Sequence, residues 1–273
     1  MQARQLFNIL RGVVWLACAG IALAQGTPPA KAPDRLARVL AARELRVCIW
    51  PDYYGITWRN PKTDELSGID IDISRDLARD LGVTVRYVDS SFSALIDNLV
   101  GDRCDIAMHA VGVTPQRQAR LAFSRPYLSS DIYAIVPKSS RAVRDWTDLD
   151  KPGRVIAVQA GTVMEPVMKQ SLKQAQLMSV KPPATREQEV ESGRADAFMT
   201  DYPYSRRMLD LTDWARLVAP PQPFHVTDYA YAFAPGDASL VDRVNQYLAM
   251  ARRDGRLREF AARHKLDPIL ATP

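Results

Sequence analysis

The chain has 273 residues and a formal charge of +5. Its lysines and arginines are spread along the sequence, and the aromatic-plus-basic clusters of single-strand binders are missing, which argues against nucleic acid as a partner. Beyond residue 24 no stretch approaches the roughly 20 apolar residues of a membrane-spanning helix.

Arg4 and Arg11 precede an apolar run, Gly12 to Leu23, that closes on Ala22-Leu23-Ala24. This is the pattern of a secretory signal over 1–24, cleaved after Ala24; its loss places the mature chain in the periplasm and lowers the charge to +3. Cys18 would suggest lipidation, but Trp15-Leu16-Ala17 before it fit a lipoprotein signal poorly. Residues 25–43, rich in proline and alanine from Gly26 to Asp34, read as a flexible leader. About 240 residues remain, enough for one large domain or two smaller lobes.

Leu45 to Trp50 reads as a first strand. After turns at Pro51, Gly55, Asn60 and Pro61, a helix starts near Asp70 with Ile73, Leu77, Ala78 and Leu81 on one face, and Gly82 stops it. Val83 to Val88 alternates as a second strand. Ser91 is expected to cap a helix carrying Phe92, Leu95, Ile96, Leu99 and Val100, ended by Gly101. A third strand opens at Cys104, and this alternation implies a parallel sheet.

In that third strand Ile106 to Met108 is an apolar run fit for burial, and Gly112 lets backbone N–H groups approach a ligand. Thr114-Pro115 is a helix start, so Arg117 falls in a first turn beside free amide donors. A carboxylate would be gripped there by two parallel hydrogen bonds. On this segment alone, Arg117 as an ordinary surface arginine remains open.

A second αβ unit follows: the strand Val155 to Gln159, the loop Gln159-Ala160-Gly161-Thr162 and a helix with Val163, Val167, Met168 and Leu172, for which Thr162 is the expected N-cap. A helix over Glu187 to Ser192 ends at Gly193, and the strand Ala195 to Thr200 leads to Asp201. Tyr229 to Ala234 is another strand, Asp237 starts a helix, and a last helix carries Leu257, Phe260 and Ala261. Extended connections at Tyr127 to Asp131 and His225 to Tyr229 imply a hinge between a discontinuous first lobe, 44–128 with 229–270, and a second lobe, 129–228. A ligand then belongs between the lobes, at the carboxyl ends of the strands.

Cys48 and Cys104 open two strands expected to be neighbours in an exported chain, so a disulfide stands against two buried thiols. No metal-ligand spacing and no cofactor motif occurs, so neither group is expected.

The stretches LSGIDIDISRDLARDLGV, SFSALIDNLVGDRCDIAM, VTPQRQARLAFSRPY, VIAVQAGT, GRADAFMTD and YAYAFAPGD, in that order, resemble the family 3 extracytoplasmic solute-binding proteins. These are receptors for polar amino acids that serve ATP-driven importers, and the resemblance runs from about Glu44 to Lys265. It implies a two-lobed α/β periplasmic binding protein fold of type II, each lobe a sheet flanked by helices, acting as a monomer that delivers its ligand to a membrane permease. It also implies that Arg117 grips the ligand α-carboxylate and Asp201 its α-ammonium. Tyr53 and Phe92 would pack on the ligand side chain, and Gln159, Gly161 and Thr162 would supply contacts from the second lobe; for Tyr53, Phe92 and Trp50 packing in the core or at the rim stays open, and for Asp201 a helix cap. The chain departs from the family at Gly112, where a hydroxyl residue is usual, at Ala110, where a small flexible one is, and at Trp50, often an acid. Losing the hydroxyl removes a hydrogen bond of about 1 kcal/mol, while Trp50 and Tyr53 suggest a larger, flatter or more apolar ligand.

Three other readings stay open. Cys48 in RVC and Cys104 in RCD are similar to cysteines of periplasmic proteins that accompany quinoprotein alcohol dehydrogenases, which would make the partner a dehydrogenase. Exported cyclohexadienyl dehydratases share the architecture and act on prephenate-like acids; such chemistry needs a placed acid, for which His109 is the candidate. A sensor domain of a membrane kinase fits less well, since no span follows residue 250.

Overall fold

The computed structural model describes residues 34–272. The expected signal, 1–24, and residues 25–33 of the expected leader lie outside the described residues. The remainder of that leader is not flexible chain. Arg35–Ala42 is a helix whose N-cap, Asp34, accepts the Ala37 N–H. Its Arg35 is buried and ion-paired with Asp102, Asp105 and Asp237. The proline and alanine bias stops at Asp34, and Leu36 and Val39 begin an apolar face that packs on the core.

Two sheets organise the molecule. In the first, Thr84–Asp89, Glu44–Ile49 and Ile106–Gly112 run parallel. Thr227–Phe233 lies antiparallel beside Ile106–Gly112 and pairs on with Ala122–Phe123 and Leu128–Ser130. In the second, Gln176–Val180, Val155–Gln159 and Ala197–Asp201 are parallel, followed by the antiparallel Ile132–Pro137 and Ala215–Val218. The strand Ile106–Gly112 is buried at every residue, as expected of a strand covered on both faces. This is the two-lobed, helix-flanked α/β arrangement that the resemblance implies.

The helices follow the apolar spacing, with local corrections. Ile69–Leu81 buries Ile69, Ile73, Leu77 and Ala78 and stops at Gly82. Leu95–Val100 starts later than expected: the Ser91 hydroxyl accepts the Ala94 N–H, and Phe92 stays in the turn before the helix. Met164–Ser171 is capped by Val163, not Thr162, because the Thr162 hydroxyl donates to the Gln159 carbonyl instead of accepting from the helix. Asp237 precedes Ala238–Arg253 without capping it, since its carboxylate is taken by Arg35. The helix Tyr202–Leu211, absent from the sequence reading, is capped by Asp201 and has a proline in its first turn.

A disulfide joins Cys48 to Cys104 and fastens the strand Glu44–Ile49 to the entry of Ile106–Gly112, in an apolar pocket with Leu95 and Leu99. Two crossings connect the sheets, and Asp131 binds them together. Its carboxylate accepts the Ile132 N–H at 2.7 Å from one crossing and the Phe224 and His225 N–H groups, at 2.9 and 2.7 Å, from the other.

Candidate ligand-binding cleft

Arg117 is placed by the end of a wholly buried strand and a one-turn helix, Pro115–Gln118. Thr114 accepts the Arg117 N–H at 3.2 Å, and Pro115 occupies a position where no donor is needed. The side chain is 7% exposed. Its guanidinium donates to the Gly112 carbonyl at 2.9 Å and, across the cleft, to the Gly161 carbonyl at 3.0 Å; the Phe92 ring lies 5.6 Å beneath it. Among the described residues no carboxylate pairs with it. Burial pulls its pKa down to about 10, which still leaves it a cation at neutral pH.

Asp201 ends the second sheet's strand Ala197–Asp201 and caps the next helix, accepting the Tyr204 N–H at 3.1 Å. Its other oxygen accepts hydroxyl hydrogen bonds from Tyr229, at 2.8 Å, and from Tyr53. Both tyrosines belong to the opposite side of the cleft, in or beside the first sheet. Burial, and then the Asp201 charge, push both phenols well above their ordinary range, so they remain donors.

The two charges face one cavity, which Ala110, Gly112, Trp50, Tyr53, Phe92 and Thr162 also line. Trp50 stacks nearly parallel on Tyr204, with centroids 6.1 Å apart, and meets Tyr53 and Phe92 at 5.2 and 5.3 Å. Gly161 borders the adjoining groove. Gln159 does not reach the cavity: it pairs with Val180 in the sheet, and its carbonyl serves Thr162.

Two glycines show how closely the walls approach. A Cβ on Gly112 would sit 2.6 Å from Val163 Cγ2, on the far wall, so a residue with a side chain there would require the Val163 side chain or the wall to shift. Gly161 has φ +77°, and a Cβ there would lie 2.8 Å from the Ser93 backbone nitrogen.

Ala110 is held at φ +48°, strained for a residue with a side chain. A buried carboxylate behind it supports that turn. Asp70 accepts the Ala110 N–H at 3.0 Å and the hydroxyls of Tyr127 and Tyr231 at 2.7 and 2.9 Å, and its burial raises its pKa to about 7.

His109 stands behind Phe92, fully buried and off the cavity wall. Its Nδ1 donates to the Cys48 carbonyl at 3.2 Å, and burial holds its pKa down at about 4, so it is neutral at neutral pH. His225 is exposed and contributes its N–H to Asp131, while His264 bonds Asp72. Among the described residues no group of three or more metal-ligating side chains is assembled.

Sequence reading missed Arg186, Thr200, Tyr204 and Tyr229. Arg186 lines the cavity, is 3% exposed, donates to the Met199 carbonyl at 3.0 Å and lies 4.2 Å over the Tyr204 ring. It opens the helix Arg186–Glu191, whose capping box of Thr185 and Gln188 was visible. The strand before that helix, Gln176–Val180, was not recognised, and only with it does Arg186 fall at a strand's carboxyl end, facing the cleft.

Residues 45–266 match the model of the bacterial extracellular solute-binding proteins, family 3. The cyclohexadienyl dehydratase of Pseudomonas aeruginosa is 31% identical over 227 residues, 83% of this chain and 84% of that one. The L-cystine-binding protein TcyJ of Escherichia coli is 25% identical over 193 residues, 71% and 72% of the two chains. Among solved structures, an ancestral amino acid-binding protein described as a precursor of cyclohexadienyl dehydratase superposes with a TM-score of 0.76 at 30% identity, over 84% of this chain and 98% of that one. The chain therefore belongs to the family 3 bacterial extracellular solute-binding proteins.

Proposed function

We propose that the protein is a periplasmic receptor that closes its two lobes on a small organic acid, an amino acid before other acids, and presents the closed form to the permease of an ATP-driven importer. The observation that carries this reading is the pairing of opposite charges across one cavity: buried Arg117 from the first sheet's side, without a carboxylate partner among the described residues, and buried Asp201 from the second. The guanidinium would take the ligand carboxylate, and the Asp201 oxygens, with the tyrosine hydroxyls around them, would take the ammonium. The amino-acid receptors among its relatives support the importer role. Closure is a population shift: a ligand that touches both walls only when they meet stabilises the closed state by that difference in contact.

The dehydratase relative and the solved ancestral proteins of the dehydratase line support a second reading. Elimination of water requires an acid or base able to exchange a proton near neutral pH. The cavity-lining Tyr53, Tyr204 and Tyr229 are pushed up by burial, and His109 is neutral and off the wall. Binding without chemistry is the better fit. A thermal-shift screen of amino acids, opines and aromatic acids tests the first reading, because a ligand at 100 times its Kd stabilises the native form by about 2.7 kcal/mol. Failure of every amino acid to raise Tm would contradict it, and formation of phenylpyruvate or phenylalanine from prephenate or arogenate would establish the second.

A further inference from the structure

We propose that the ligand is a diacid, with one acidic group gripped by Arg117 and a second by Arg186, separated by an apolar or flat body. This rests on reading the cavity as the ligand site and adds the class of compound it takes. Both arginines are more than nine-tenths buried, both line the same cavity, and neither has a carboxylate partner among the described residues. Among the described residues the one carboxylate on the wall, Asp201, already accepts from Tyr53, Tyr229 and the Tyr204 N–H. The walls thus carry two cations against one anion.

No neighbouring carboxylate among the described residues pairs with either guanidinium. Asp52 is held by Arg207 at 2.7 Å. Glu165 faces the adjoining groove, where it accepts from Gly161 and Ser179. Glu187 acts on Arg207 and Tyr204, has a buried oxygen without a hydrogen-bond partner, and forms no ion pair with Arg186. A ligand with one carboxylate would leave one of the two buried guanidiniums without a direct acidic partner, which a second acid group supplies. Burial lowers the Arg117 pKa, as expected for a cation short of compensation. The Thr200 hydroxyl, 1% exposed, lines the cavity without a hydrogen-bond partner and is a ready donor to an acid oxygen. Trp50, Phe92 and Met164 line the same cavity and give it apolar surface, which suits a body of several carbons or a ring.

The test is isothermal titration of ligand-stripped, refolded protein with acids and their matching amides. The pairs are aspartate and asparagine, glutamate and glutamine, 4-carboxyphenylalanine and its carboxamide, and glutarate and its half-amide. The expected result is that at least one acid binds about tenfold or more tightly than its amide. In Arg186→Gln that preference should fall to about one, and in Arg186→Lys, which keeps the charge and covers the case in which the glutamine variant does not fold, it should persist. Amides that bind as well as their acids, or a preference unchanged in a folded Arg186→Gln, would overturn the diacid and leave the amino-acid reading standing. Binding of glutarate with no binding of any amino acid would overturn the amino-acid reading and leave the diacid standing. No heat from any pair would overturn both.

Discussion

Asp70 and Asp201 are held alike, yet they sit in regions that answer differently to lobe movement. Each buried carboxylate accepts two tyrosine hydroxyls and one backbone N–H: Tyr127, Tyr231 and Ala110 for Asp70, and Tyr53, Tyr229 and Tyr204 for Asp201. All of Asp70's partners come from the first sheet's side, so its bonds survive any separation of the lobes. Asp201 stands on the second sheet while Tyr229 stands on the first and Tyr53 beside it, so those bonds exist only when the cleft is closed. The same chemistry serves as scaffold in one place and as latch in the other.

The sharpest separation of the two comes from deleting each carboxylate. Asp70→Ala leaves two buried hydroxyls and one N–H without an acceptor, and unfolding in urea should show a loss of about 3–5 kcal/mol with or without ligand. Asp201→Ala should cost the ligand-free protein only about 1 kcal/mol, the worth of a helix cap, while calorimetry shows affinity down by roughly 100-fold. Equal destabilisation by both would erase the distinction between scaffold and latch.

Paired hydroxyl deletions refine it. Tyr127→Phe with Tyr231→Phe should lower stability by about 1 kcal/mol for each bond, whereas Tyr53→Phe with Tyr229→Phe should act chiefly on ligand affinity. Gly161→Ala should weaken binding about tenfold, because its Cβ meets the Ser93 backbone across the cleft only on closure; a wild-type affinity would mean that the loop is not a closed-state contact.

The smallest effect is in pH. Asp70's folded pKa, about 7, lies above the ordinary carboxylate value of 3.8, so between those limits the native state holds a proton that the unfolded chain does not. Its contribution is full below about pH 4 and is lost as pH rises through 7, with a slope on the order of 1 kcal/mol per pH unit. Comparing urea midpoints of the wild type and Asp70→Asn at pH 6 and 7 isolates this slope, which should be present in the first and absent in the second.

Much of this was legible before any coordinates. Ordered apolar runs and glycine stops located most of the first sheet's strands and helices, and Thr114-Pro115 placed Arg117 in a first helical turn. Asp201 was found as a polar residue ending a strand and weighed as a helix cap, which it is, although the extent of the helix it caps, Tyr202–Leu211, was not read. Arg186 and Tyr229 were not legible, because their roles depend on which strands adjoin across the cleft, and periodicity reports only which face of an element is apolar. The lack of room beside Gly112 comes from Val163, a residue 51 positions away in sequence, and no local pattern records such an approach.

The closed form depends on Arg117 as the anchor of the ligand. Isothermal titration of the wild type and Arg117→Ala with the tightest binder from the screen should show saturable binding in the first and a loss of several kcal/mol, at or beyond detection, in a folded second. Equal affinity in the two would remove Arg117 from that role.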